Sequence, residues 1–152
     1  MTGREDQREN DLFFVCSLID YIGRKTKNYR STVVNALGRQ ELQHIYDYAD
    51  VYHCENIDKV SDELIEKHQI NEGHFDNVAD ARYSVPSHWD IGKVYQRLIL
   101  DTVQATGEDI IDTLMAVYNS WINRKIDNYN SSMYYESPSY LFESYKAGEV
   151  LA

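Results

Sequence analysis

The amino-acid sequence predicts an all-α fold, a compact helical bundle of about six or seven helices. Three observations predict it. Apolar residues recur at three- and four-residue steps over most of the chain, the repeat that lines one face of a helix. Only two prolines and seven glycines punctuate 152 residues, so the pattern runs long between breaks. No stretch alternates apolar and polar residues for more than about five positions, the nearest being "ARYSV" at Ala81–Val85. A chain of this length suits a single domain, residues 1–152, able to bury roughly 70% of the surface its unfolded form exposes. The polar stretch between Gly73 and Pro86 marks a sub-division into an N-terminal helical half, 9–72, and a C-terminal half, 87–152.

The first helix is read from "NDLFFVCSLIDYIG", where Leu12, Val15, Cys16, Ile19 and Ile22 share a face. Asn10 or Asp11 is its expected cap, and Gly23 with the basic cluster after it the expected end. "NYRSTVVNALG" gives a short second helix ended by Gly38. "RQELQHIYDYADVYHCE" gives a third, with Leu42, Ile45, Tyr46, Ala49 and His53 in one narrow arc and Tyr52 at its margin. His53 and Cys54 point about 100° apart on a helix, so they make no ligand pair by themselves. Cys16 and His53 are expected to pack rather than react. Asn56 caps a fourth helix that buries Ile57, Val60 and Leu64.

Ser87 and Asp90 resemble a capping box, opening a helix from Trp89 to about Val103 with Ile91, Tyr95, Leu98 and Ile99 on its apolar side. Gly107 ends it. From Glu108 to about Asp127 the apolar residues cover more than a third of the circumference, which predicts a central helix touching several neighbours. Ser137 and Pro138 then open a last helix that finishes near Gly148.

The net charge of −10 and pI of about 4.8 argue against a phosphate-binding surface, which needs clustered Lys and Arg, and permit a basic partner. Cys16 and Cys54 form no recognisable metal pattern, and no cofactor is expected. No segment approaches the ~20 apolar residues of a membrane span, and "MTGREDQREND" has no signal-peptide character, so the expected location is the cytoplasm.

A Gly-rich phosphate loop, HExxH and the Gly-x-Ser-x-Gly nucleophile elbow are missing from the sequence. Looser constellations remain. Glu63 and Glu66 fit the first half of the Glu-x-x-Glu…Glu-x-x-Asp pattern of all-helical Mg²⁺-dependent nucleotide pyrophosphohydrolases. The second half would be Asp109 and Asp112, which departs from it. In an acidic helical chain such spacings are commonly a solvated face. Arg39 with His44, and Arg82 with His88, have the Arg-x(4–6)-His spacing of HEPN-type ribonucleases, whose pair acts on the scissile phosphate of RNA. Eight arginines and five histidines supply about one such spacing by chance. Residues five apart also do not share a helical face. The basic turn Arg24, Lys25, Lys27 and Arg30 precedes a superficial helix-turn-helix, but its second helix carries Glu41, Asp47 and Asp50, which would repel DNA. Finally, thirteen tyrosines stand against four phenylalanines. Tyr129, Tyr134, Tyr135, Tyr140 and Tyr145 form a patch suited either to an interface or to the edge of the core.

The segments "DLFFVCSLIDYIGRKTKNYRSTVVNAL", "DVYH" at Asp50–His53 and "IDKVSDEL" resemble a small uncharacterised all-helical domain family of bacteria, found near toxin-like or mobile-element genes. The resemblance carries over no catalytic residue and implies a toxin–antitoxin-type accessory role. The expected function is therefore a non-catalytic protein-interaction or regulatory protein, accessory or antitoxin-like. Its expected partner is another protein, basic in character, or a second copy of the chain. The alternatives are the HEPN-like ribonuclease and the Mg²⁺-dependent pyrophosphohydrolase.

Overall fold

The computed structural model describes residues 3–151, with side chains from Gln7 onward. Among the described residues the chain is all-helical, with no strand. Its elements are α1 (Gly3–Thr26), α2 (Arg30–Asp47), α3 (Ala49–Tyr52), α4 (Ile57–Lys67), α5 (His88–Thr106), α6 (Ile110–Tyr118), α7 (Trp121–Ile126), a 3-10 turn (Met133–Tyr135) and α8 (Pro138–Ala147). None of these helices is long and apolar enough to cross a membrane.

The pieces outnumber the expected six or seven because two long helices are broken. The third expected helix stops at Tyr48, whose φ of −114° leaves the helical range, and restarts as the single turn α3. The helix expected over Glu108–Asp127 is cut at Asn119 and Ser120. Asn119 Nδ2 donates to the carbonyl of Met115 and Ser120 Oγ to that of Val117, so side chains compete with the backbone for the partners that would continue the helix. Gly38, with φ 80° and ψ 163°, bends α2 where an L-residue would be strained.

The central element is α1, not the 108–127 segment. From Phe14 to Asp20 every residue is buried, the signature of a helix surrounded on all sides. It also begins well before Asn10 and Asp11, which lie inside it instead of capping it; the preceding Glu, Gln and Arg residues are good helix formers without an apolar stripe to announce them. Nor does Gly23 end it. The helix runs on to Thr26, and Gly23 is a notch across which Arg30 lies: a Cβ there would stand 2.8 Å from Arg30 Cζ. Gly92 plays the same part between α1 and α5, where a Cβ would meet Ser17. One hydrophobic cluster runs from Leu12 on α1 through α2, α4, α5, α6 and α7 to Leu141 on α8, so both halves of the chain share it.

Several other caps read from the sequence are in place. Asn56 accepts from the Asp58 amide, Ser87 and Asp90 complete their reciprocal box, Ser137 accepts from the Tyr140 amide, and Gly107 and Gly148 are left-handed. Residues 68–87 form a long strap without helix or strand. Its start is tied to the end of α1 by Gly73 N donating to Thr26 O at 2.8 Å and Phe75 N to Lys27 O at 2.9 Å. Its far end is held where Arg24 donates to the carbonyl of Pro86.

Beneath the strap lies a buried charge centre. Arg30, wholly buried, donates from Nε to Asp20 at 2.9 Å, from Nη1 to the Asn28 carbonyl at 2.9 Å and from Nη2 to Asn77 of the strap at 3.2 Å. Asn77 passes the chain of bonds to the Asp127 carbonyl, and the Asp127 carboxylate accepts from Tyr95 and Asn123. Arg24 pairs with Asp20 at 2.7 Å and donates to the Tyr129 hydroxyl. Outside this centre a stack of Arg124, Tyr29 and Phe75 clamps the strap, with the Arg124 guanidinium 3.5 Å from the Tyr29 ring centroid and the two rings 4.3 Å apart.

Burial, against the pull of Arg30 and helped by Asp20, pushes the Asp127 carboxyl up to about 7. The folded state therefore favours its protonated form. The stability that form contributes is complete below the unfolded value of about 4 and declines as pH rises to about 7. In urea titrations across that window, Asp127→Asn should remove this downward component from the stability curve, whatever its constant offset. Parallel curves for the two proteins would refute the assignment.

Candidate functional site

The stretch from Tyr46 to Asn56 exposes two large apolar side chains, Tyr48 and Val51, close together in the chain. Tyr48 N donates to the His44 carbonyl, closing α2, while Val51 N and Tyr52 N both donate to the Tyr48 carbonyl and start a new turn. Ala49 is the buried anchor of that turn. With so short a helix fixed through one small residue, its other faces stay outside: Tyr48 is 53% and Val51 58% exposed. The sequence expectation that His53 joins the apolar arc is corrected by the same break. His53 is exposed, its ring meeting Phe14 edge-on with centroids 5.9 Å apart. Cys54 is exposed as well, whereas Cys16 is sealed in the core, where burial pushes its thiol up to about 12.

Two clefts lie near this break in the helix. The first, of about 570 Å³, lies between α1 and α3, bounded by Asp11, Phe13 and Phe14 on one wall and Ala49, Asp50 and His53 on the other. Burial raises the Asp11 pKa, with Asp50 and Asp47 adding to the rise and His53 opposing it. The second cleft, of about 420 Å³, is lined by Gln40, Glu41 and His44 of α2 with Lys67 and His68 at the end of α4. Its Glu41 carboxylate is buried, which alone would raise its pKa, but it accepts from Lys67 Nζ and is bonded to His68 Nε2, each at 2.8 Å, and these bonds bring it below the ordinary range. His44 links this cleft to the ridge, its ring centroid 4.7 Å from that of Tyr48.

The residues singled out in the sequence fall as follows. Arg39 is not joined to His44: its Nε donates to Asp112 at 2.6 Å and its Nη2 to Asp109 at 2.7 Å, while His44 faces the second cleft. Asp109 is also the cap of α6, accepting from the amides of Ile111 and Asp112. Glu63 and Glu66 are exposed on α4, and among the described residues no group of three or more His, Cys, Asp or Glu side chains is arranged to hold a metal ion. Arg82 is exposed on the strap. His88 lies between Tyr21 and Trp89, at centroid distances of 5.0 and 4.7 Å, and burial pushes its pKa down. Of the basic turn, Lys25 pairs with Asp58 and Asp62, Lys27 with Glu72, and Arg30 is interior.

The tyrosine patch divides. Tyr129 is buried, Tyr134 packs edge-on against both Tyr129 and Tyr135, and Tyr140 donates its hydroxyl to the Leu151 carbonyl. Tyr145 is half-buried against the core, and Tyr135 alone of the five is widely exposed, at 67%. Sequence reading missed Tyr48 and Val51 as surface groups. An unbroken helix already turns both away from the arc of Leu42, Ile45 and Ala49, but nothing in "YDYADVYHCEN" announces the interruption that sets them on a separate turn.

No protein-family model, no curated protein and no solved structure matches the chain.

Proposed function

We propose that the protein is a non-catalytic interaction module, of accessory or antitoxin-like character, that docks a protein partner on the α3 ridge and its two clefts. The observation that carries this reading is the exposure of Tyr48 and Val51 at the break before and within α3, where Ala49 and Asp50 line one cleft and His44, whose ring meets Tyr48, lines the other. An apolar ridge with a polar, charged rim matches the anatomy of protein interfaces, and an aromatic at its centre is a typical anchor. The acidic surface supports a protein over a nucleic acid as partner. The enzyme alternatives draw no support from the geometry, because Arg39 has its guanidinium committed to two carboxylates and the Glu63, Glu66, Asp109 and Asp112 set forms no metal-holding group.

A photo-crosslinking residue placed at Val51 tests the proposal in the protein's native cells. The expected result is one dominant protein adduct, strongly reduced by Tyr48→Asp. The same crosslinker at Tyr135 serves as a control on an exposed aromatic of the 3-10 turn. No adduct from position 51, or the same adducts from both positions, would sink the reading.

A further inference from the structure

We infer that the strap carries a processing site at the Tyr83–Ser84 bond, cut by an endoprotease whose primary pocket takes an aromatic side chain, and that the cut leaves a two-chain form still assembled. The inference does not depend on the docking surface at α3. Arg82, Tyr83, Ser84 and Val85 are four consecutive exposed residues, an arch between Ala81, packed against the core, and buried Pro86. Exposed loop tips are where folded chains are nicked. Exposure alone does not select the bond, since Tyr48 and Tyr135 are 53% and 67% exposed beside the 73% of Tyr83.

The backbone selects it. An endoprotease reads its substrate as an added strand, main-chain hydrogen bonds holding the chain while a pocket takes the side chain. A serine endoprotease needs the amide of the residue before the cut, the amide and carbonyl two places upstream of it, and the amide two places past the cut. For Tyr83–Ser84 these groups belong to Tyr83, Ala81 and Val85. Among the described residues Tyr83 N, Ala81 O and Val85 N have no hydrogen-bond partner, and Ala81 N has only the Val78 carbonyl at 3.4 Å.

One residue earlier the upstream groups are taken. Asn130 Oδ1 accepts from Arg82 N at 2.7 Å, Asn130 Nδ2 donates to the Asp80 carbonyl at 3.1 Å, and Asp80 N donates to the Asp76 carbonyl at 3.0 Å. Asn130 thus shields the Arg82–Tyr83 bond and leaves the next one open. At the other exposed tyrosines the backbone is committed to turns: Tyr48 N donates to the His44 carbonyl, and Tyr135 N to that of Ser132.

Hydrolysis consumes one water. The C–N bond breaks, the water oxygen joins the Tyr83 carbonyl carbon, and the products are a Tyr83 carboxylate and a Ser84 ammonium. Each new end is held by the other fragment, Asp80 and Arg82 by Asn130, and Pro86 by Arg24. Both fragments also contribute to the one hydrophobic cluster.

The test uses the whole folded chain with chymotrypsin and trypsin as probes, and a peptide of residues 77–89 as the unshielded reference. Brief chymotrypsin treatment should yield residues 1–83 and 84–152, eluting together on size exclusion, with an unfolding midpoint that now rises with protein concentration. For each bond, the rate in the protein is divided by the rate in the peptide. That ratio should be about tenfold or more higher for chymotrypsin at Tyr83–Ser84 than for trypsin at Arg82–Tyr83, since the second cut must first break the Asn130 bonds. Asn130 is exposed, and Asn130→Ala should speed trypsin at Arg82–Tyr83 several-fold more than chymotrypsin at Tyr83–Ser84. First cleavage at Tyr48 or Tyr135, equal ratios for the two bonds, or equal acceleration by Asn130→Ala would overturn the site. Fragments that separate on size exclusion would overturn the assembled two-chain form.

Discussion

Replacing Arg30 by methionine is expected to destabilise the protein by about 3–5 kcal/mol, the usual result of removing one member of a buried ion pair. The lost attraction is the smaller part. Asp20 is buried with Arg30 and would keep only Arg24 as a cationic partner, while the Asn28 carbonyl and the Asn77 side chain would each lose the donor that Arg30 supplies. Domains of this kind are stable by only about 5–15 kcal/mol, so the variant should sit near or past the edge of folding. Arg30→Lys should recover little, because an ammonium on one flexible stem cannot reproduce a planar fork that meets three acceptors. Urea denaturation of Arg30→Met, of Asp20→Asn and of the pair gives a double-mutant cycle, in which the pair should lose clearly less than the sum. Additive losses would show that Arg30 and Asp20 do not act together.

The second large effect is expected at Gly92. A Cβ at this position of α5 would fall inside contact distance of Ser17 Oγ, 2.8 Å from the Ser17 backbone nitrogen and 2.9 Å from its Cα. A hydroxyl can swing away, but backbone inside the central helix cannot. Gly92→Ala should therefore force α1 and α5 apart and lower stability by about 1–3 kcal/mol, even though Ala is the better helix former by roughly 1 kcal/mol. Thermal unfolding checks this directly. An unchanged or higher midpoint would mean that the two helices do not pack as closely as described. Gly107→Ala is an informative contrast, since nothing lies within 4 Å of its Cβ position and any loss there comes from its φ of 73° alone.

These two positions also mark the limit of what the sequence could disclose. Local signals were readable: the box of Ser87 with Asp90, the cap at Asn56, Ser137 followed by Pro138, and the left-handed ends at Gly107 and Gly148 all depend on residues a few places apart. Gly23 and Gly92 carry the same letter as Gly107, but their purpose is set by Arg30 and Ser17 on other parts of the chain. Arg30 reads as one more cation in a basic turn. Its burial is decided by Asp20 before it and Asn77 well after it, and neither spacing has a pattern. The candidate surface was obscured for a different reason. The periodicity around Leu42, Ile45 and Ala49 is real, and all three are buried, but the helix breaks at Tyr48, so a wheel drawn through the whole segment misplaces His53. Acid and Arg/His spacings were visible yet uninformative, because they identify residue types without saying that Arg39 turns to Asp109 and away from His44.

The encirclement of α1 has a consequence for how the molecule is made. The helix leaves the ribosome well before its neighbour α5, which starts only at His88, and the Tyr129 hydroxyl that Arg24 reaches is synthesised later still. At roughly 5–20 residues per second, an oily rod with an arginine-binding carboxylate in its middle waits on the order of ten seconds for its last companions. Nascent chains arrested short of Asp127 would hold that rod without its finished electrostatic hub, a longer wait than a bundle assembled from consecutive hairpins imposes.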